Sequence, residues 1–444
     1  MTTTFTSEKD NLDCDAECNR KRWRQLIFGV VCMFMIANLQ YGWTLFVVPL
    51  HEAHGWTITQ IQFAFTLFIA LETWGTPIAG WIADKLGPDW GPRVAISAGG
   101  ALVALGWTIV SMAHSLHVLY FGNAVAGLGA GAVYMTCIGI AVKWFKDSRG
   151  LAVGLVAAGF GTGAALTVIP MRMVIAASGY QSAFLWFGLV QGALILIMAQ
   201  VIRAPYPGEA PAVRAVKVKQ TGHSYTTPEM LRQPVFWVLY TLRLMMVAGA
   251  LMVIANLAPL ARAFGVAELA LWGTTTLSAG LILANLSDGV GRPFFGWLGD
   301  RIGNTSAMAI SFAVGAAGYY LMSVTGHHPL GYAVFAGVIF LCWGAIFSVF
   351  PAMNTDLFGP EYATANYSIL YTVKGVAAFL LPLGTLLVTA TGTWNSVLFL
   401  AAGISVLSTI LVLAVLRPAE HRHHADEQGH AERVRRPFMR ATTA

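Results

Sequence analysis

The sequence predicts an all-α membrane protein of twelve transmembrane helices arranged as two pseudo-symmetric six-helix halves. Composition, the recurrence of long apolar stretches and an internal duplication lead there. Of 444 residues, 56% are hydrophobic and 11% charged, against about 25% charged in a typical soluble domain. So few charges cannot cover that much apolar surface in water. The 46 glycines fit the same reading, because glycine is more frequent in membrane helices than in soluble ones.

Apolar stretches of spanning length, ~20 residues, recur at 26–50, 58–83, 94–114, 117–143, 150–177, 181–202, 234–263, 269–298, 305–325, 330–354, 364–390 and 393–416. In hydrocarbon every backbone polar group must be satisfied within the chain, so these are helices. The two-residue alternation of a membrane barrel is absent. The polar first 24 residues, with RKRWR, do not read as a cleavable signal peptide. With the N-terminus inside, cytoplasmic segments hold 22 of the 27 Lys and Arg, the asymmetry that sets membrane orientation. Both termini are therefore expected in the cytoplasm. The net charge of +6 is a topology signal, and nucleic acid is not an expected partner.

The longest polar stretch between spans lies near the middle. It divides the chain into an N-tail (1–24), a first half (25–203), a central cytoplasmic loop (204–232), a second half (233–417) and a C-tail (418–444). TPIAGWIADKLG at 76–87 matches RPFFGWLGDRIG at 292–303, offset by 216 residues. Gly80, Trp81, Asp84, Lys85 and Gly87 recur as Gly296, Trp297, Asp300, Arg301 and Gly303. Small glycines let helices approach, and an acid next to a base suits a charge clamp at the inner surface. Both tails are charged and read as disordered. Their basic clusters suit anionic lipid. Cys14 and Cys18 with the C-terminal HRHH are too poorly spaced for a zinc site.

Three cations remain inside spans: Arg243, Arg292 and Lys374. Lys374 interrupts YTVKGVAAFLLPL at 371–383. A charge at the bilayer centre costs ~3 kcal/mol on insertion scales, so such residues usually line a cavity or pair with one another. At the 216-residue offset, Lys374 falls on Ala158 and Arg292 on Thr76. The first half lacks both cations, which argues against a fold-wide structural role. A guanidinium fork and an ammonium facing one cavity suit a small dicarboxylate. The alternative is pairing with protein acids: Asp288 stands one helical turn before Arg292, and Glu72 lies in the second span. Gln40 and Tyr41 (mid-span 1), Gln62, Tyr134, Phe160, Trp343 and Phe347 are candidates for the wall of such a cavity. Aromatics there would exclude bulky solutes, while Tyr and Gln donate hydrogen bonds. Ordinary helix packing is the competing reading for each aromatic.

The duplicated GWxxD[KR]xG pattern resembles the loop between helices 2 and 3 of the major facilitator superfamily and its repeat. Along residues 22–417 the chain is similar to one branch, the oxalate:formate antiporter family. The blocks that carry this are QYGWTLFVVPL (40–50), QFAFTLF (62–68), KWFKDSRGLAVG (143–154), EMLRQPVFWVLY (229–240), GRPFFGW (291–297) and FPAMNTDLFGPEYATANYS (350–368). The resemblance implies alternating access with a midplane site between the halves. It makes Arg292 and Lys374 the dicarboxylate ligands and puts Gln40, Tyr41, Gln62, Tyr134 and Trp343 in the pocket. Phe160 and Phe347 replace tyrosines of that pattern. Glu72 and Asp288 stand where glutamine and asparagine are expected, and Arg243 is an added charge. The resemblance further implies oxalate and formate as cargo, a bacterial inner membrane, no cofactor and a functional monomer.

The leading expectation is oxalate:formate antiport. The runner-up is proton-coupled symport of a monocarboxylate (lactate, formate or glyoxylate), with Glu72 or Asp288 carrying the proton. A membrane anion sensor is the remote alternative, since the short tails carry no output domain. No nucleophile–base pair or metal cluster is evident, so an enzyme is not expected.

Overall fold

The computed structural model describes residues 8–210, 221, 223–254, 256–423 and 425. The chain forms two compact units, Met1–Val216 and Lys217–Ala444. Unit 1 contains α1 (Glu8–Tyr41), α2 (Thr44–His54), α3 (Ile58–Trp74), α4 (Thr76–Lys85), α5 (Gly87–Ser111), α6 (Leu116–Trp144) and α7 (Arg149–Ala199). Unit 2 contains α8 (Thr227–Leu231), α9 (Pro234–Ile254), α10 (Leu257–Ala263), strands β1 (Ala270–Leu271) and β2 (Thr274–Thr275), then α11 (Thr276–Ile302), α12 (Asn304–Thr325), α13 (Pro329–Phe358), α14 (Ala363–Tyr371), α15 (Val373–Ala378), α16 (Leu381–Thr391) and α17 (Asn395–Leu411). A π-helical turn, Val412–Leu416, continues α17.

Eight of the apolar stretches correspond to helices long and apolar enough to cross a membrane. The other four are broken or charged. Span 2 divides into α3 and α4 at Gly75, and span 11 into α14, α15 and α16. Span 8 begins at the β1–β2 hairpin, the one departure from an all-α chain among the described residues, and its helix carries Asp288 and Arg292. Span 5 runs into span 6 as α7, with Pro170 inside and a kink at Gly179 (φ 80°, ψ 165°), a backbone conformation that glycine tolerates and L side chains avoid.

Three expectations are corrected. The N-tail is not disordered from Glu8 onward: α1 takes in residues 8–24. Cys18 donates a hydrogen bond to the Glu209 carbonyl at 2.7 Å, so it belongs to a contact and not to a loose tail. Helix also continues past Leu416 to His423, whose ring Nε2 lies 3.0 Å from the Leu357 carbonyl oxygen. The Cys14 side chain and the basic cluster beyond residue 425 lie outside the described residues.

The duplicated motif is duplicated in space. Gly87 and Gly303 both take positive φ, 81° and 92°. Lys85 Nζ sits 4.2 Å from the Trp81 ring centroid, and Arg301 Cζ sits 4.5 Å from that of Trp297. The expected charge clamp forms in unit 1 between Asp84 and Lys143, at 2.6 Å, while Lys85 lies over the Trp81 face.

In unit 1, α5 packs on α6 and α7, α1 on α7, and α3 on α6; in unit 2, α11 packs on α13, and α12 on α13 and α17. Glycines set the closest approaches. A Cβ on Gly131 of α6 would stand 2.2 Å from the Glu72 carbonyl oxygen. One on Gly291 of α11 would stand 2.3 Å from that of Leu341 in α13, and one on Gly344 would stand 2.8 Å from the Arg292 backbone nitrogen. Unit 1 closes with a clasp after α7, where Arg203 Nη1 donates to Glu209 at 2.6 Å and its Nη2 donates to the second carboxylate oxygen.

Two outcomes are expected. Gly344→Val should lower stability by about 1–3 kcal/mol through overpacking, read as a fall in the unfolding midpoint of the detergent-purified protein. In the clasp, the hydrogen bond from Arg203 holds the Glu209 carboxyl below the usual carboxylate range. A carboxylate with a lowered folded pKa adds stability above its unfolded value and loses it as pH falls through the folded one. Midpoints of the wild type and Glu209→Gln should therefore differ at neutral pH and converge below about pH 4.

Candidate functional site

In unit 1 the structure gathers three of the expected wall residues. The Phe160 ring centroid lies 5.4 Å from that of Tyr41 and 5.4 Å from that of Tyr134. The trio joins α1, α6 and α7. Tyr41 and Gln40 are not mid-helix as expected. They end α1, and α2 begins only after Gly42 and Trp43. A helix break inside an apolar stretch frees backbone groups and redirects side chains. Tyr134 and Phe160 are buried. Gln62 is exposed one turn into α3, and no hydrogen bond among the described residues joins its side chain to the trio. Glu72 is fully buried, as are its neighbour Thr73 and nearby Thr76.

In unit 2 both expected cations are buried: Arg292 is 1% exposed and Lys374 6%. Asp288 accepts two hydrogen bonds from Arg292, Nε to Oδ1 at 3.0 Å and Nη2 to Oδ2 at 2.7 Å. This two-pronged geometry is the strong form of the carboxylate–guanidinium pair. The Arg292 guanidinium carbon lies 4.7 Å from the Phe347 centroid, and Trp343 meets Phe347 edge to face at 5.1 Å. These contacts follow from the Gly291 and Gly344 approach, which brings α11 and α13 backbones together where Arg292 departs. A tyrosine at position 347 would add a hydroxyl beside the guanidinium; phenylalanine leaves an apolar face there.

Lys374 lies in the six-residue α15, between the breaks at Thr372 and Phe379. Its Nζ is 3.4 Å from the Tyr371 hydroxyl and 5.6 Å from the ring centroid. Tyr371 in turn faces Tyr367 at 6.1 Å. Sequence reasoning passed over these two tyrosines. The signal was present: Tyr367, Tyr371 and Lys374 recur at helical spacing, on one face. It also left Arg243 without a role. Arg243 is fully buried in α9, with its guanidinium carbon 5.0 Å from the Tyr367 centroid and 5.5 Å from those of Phe350 and Tyr371.

The described residues hold no group of three or more His, Cys, Asp or Glu side chains placed to bind a metal ion. The arrangement is instead one of buried cations on aromatic faces, with a single carboxylate already engaged.

The sequence profile of the Major Facilitator Superfamily matches residues 26–288 and 244–442. The chain belongs to the major facilitator superfamily. It is 34% identical over 398 residues to the oxalate:formate antiporter of Oxalobacter formigenes, covering 89% of this chain and 91% of that one, which places it in the antiporter family its motifs resemble. It is 24% identical over 369 residues to monocarboxylate transporter 12-B of Danio rerio, covering 77% and 76%. Among solved structures, the proton:xylose symporter XylE superposes with a TM-score of 0.68 at 11% identity, over 90% of this chain and 96% of that one. The human organic anion transporter MFSD10 gives 0.64 at 14% identity, over 88% and 99%. At those identities the likeness is one of fold. The transporter is thus a multi-pass membrane protein whose relatives move solutes.

Asp288→Asn leaves the buried Arg292 without its ionised partner. It is expected to lower the stability of the transporter by roughly 3 kcal/mol, measured as the unfolding midpoint in anion-poor buffer.

Proposed function

We propose that this transporter exchanges small carboxylate anions by alternating access, carrying oxalate one way and formate the other. The observation that carries the reading is the burial of Arg292 and Lys374 inside apolar stretches of unit 2. Buried charge is costly unless answered, and a dicarboxylate answers two cations at once. The 34% identity to an oxalate:formate antiporter supports the cargo class. Arg292 is the fork for one carboxylate group and Lys374 the point charge for the other. Because Asp288 already holds both prongs of Arg292, substrate carboxylate has to displace it or share the guanidinium. In unit 1, the Tyr41–Phe160–Tyr134 trio offers two hydroxyls and a flat apolar face to a small planar anion. Without substrate, burying like charges is unfavourable, which favours exchange over leak. The excess of Lys and Arg in the proposed inner segments supports both termini in the cytoplasm; similarity to a bacterial antiporter supports a bacterial inner membrane, and a monomer suffices.

The Asp288–Arg292 pair also favours a second reading, proton-coupled symport of a monocarboxylate. There the arriving carboxylate takes Arg292 and Asp288 takes a proton, with Glu72 as a second carrier. Similarity to a monocarboxylate transporter supports the substrate class.

Counterflow in proteoliposomes separates the two. In vesicles loaded with oxalate, uptake of labelled oxalate should be chased by external formate and be indifferent to a pH gradient. Arg292→Gln and Lys374→Gln should each cut that exchange at least about 30-fold, equivalent to ~2 kcal/mol. Wild-type exchange in either variant, at normal insertion, contradicts the antiport mechanism. Uptake of lactate or formate that follows the proton gradient and is lost in Asp288→Asn or Glu72→Gln favours the symporter.

A further inference from the structure

Arg243 is a cation buried within an apolar stretch that the reading above does not use. It is 0% exposed, and an arginine cannot shed its charge in a protein. No described residue accepts a hydrogen bond from its Nε, Nη1 or Nη2. Buried charges are normally paired with an acid. This one is held by three aromatic faces, those of Phe350, Tyr367 and Tyr371. Aromatic faces stabilise a cation without cancelling it, so its charge is felt by its surroundings. Arg243 Cζ and Lys374 Nζ lie 5.5 and 5.6 Å from the same Tyr371 centroid, which confines the two charges to within about 11 Å, a range over which charges in a low-dielectric span still couple.

Asp288 supplies the counterpart. It cancels the charge of Arg292 through a two-pronged pair in the same unit. Within the apolar stretches of unit 2 the buried charged residues are Arg243, Asp288, Arg292 and Lys374. Without Arg243 the three others would sum to a single positive charge, which suits a monocarboxylate. With it, the unit keeps two.

We propose that Arg243 is a specificity-determining residue that offsets Asp288 and so preserves a preference for dicarboxylates over monocarboxylates. It acts through the field at the cation cluster, from inside its aromatic cage, and not by touching the cargo. The proposal rests on the carboxylate-exchange reading. Its signature is a charge bookkeeping that a packing role does not share: removing Asp288's charge repairs the loss of Arg243's.

The test compares labelled oxalate with labelled formate exchange in proteoliposomes of the full-length protein, for the wild type, Arg243→Gln, Arg243→Lys, Asp288→Asn and the Arg243→Gln/Asp288→Asn double variant. Wild-type exchange of both anions establishes the underlying reading, and formate exchange without oxalate exchange defeats that reading whatever the variants do. Given wild-type oxalate exchange, Arg243→Gln should lower the oxalate-to-formate ratio at least ~10-fold. Arg243→Lys should stay near the wild type, and the double variant should return to within about 3-fold of it. An unchanged ratio in Arg243→Gln, or a double variant as poor as the single, overturns the proposal. If Arg243→Gln does not assemble, Asp288→Asn alone decides: a ratio raised above the wild type supports the offset, and an unchanged ratio refutes it.

Discussion

A charge in hydrocarbon has to be answered by something. That constraint organises this transporter more than any single contact. Half of its apolar stretches carry no charge, and glycine sets the closest helix approaches. Where charge does enter, the chain departs from plain helix or recruits aromatic rings. Lys374 sits in a six-residue helix between two breaks. Arg292 leaves α11 where Gly291 and Gly344 bring it closest to α13. Arg243 pairs with no acid among the described residues and is caged by rings. Rings hold a cation without neutralising it.

The two units spend the same architecture differently. Each has the glycine-bounded loop with a base laid on a tryptophan face, at 4.2 Å in one and 4.5 Å in the other. That shared device belongs to the fold. The cations buried within apolar stretches, Arg243, Arg292 and Lys374, belong to unit 2, and the Tyr41–Phe160–Tyr134 trio to unit 1. The duplication therefore separates what the two units share from what each unit adds. Asp288, Glu72 and Arg243 are additions of that second kind. The antiport and symport readings differ in the part they give to these buried charges.

Much of this was legible in the sequence because membrane burial leaves long, unambiguous signals. The apolar stretches, the GWxxD[KR]xG repeat and the identities of the interior cations can be read by eye. What was not legible depended on short-range competition. The break after Tyr41 turns on a local Gly42–Trp43 pair within an apolar run that hydropathy reads as continuous. Asp84 pairs with Lys143, 59 residues further on, a choice made in three dimensions. The helix from Glu8 looked disordered because its composition is polar and charged, which says little once a contact such as Cys18 to Glu209 exists. The cage of Arg243 draws on α9, α13 and α14, and only Tyr367 and Tyr371 announced themselves by spacing.

Charge movement tests the central claim most directly. One-for-one exchange of doubly charged oxalate for singly charged formate carries net negative charge across the bilayer. Proteoliposomes loaded with formate and adsorbed on a solid-supported membrane should give, on an oxalate jump, a transient current of negative charge into the vesicles, unchanged when the pH gradient is collapsed. The absence of an oxalate-evoked current, together with electroneutral uptake of formate or lactate that tracks the proton gradient, would contradict the account.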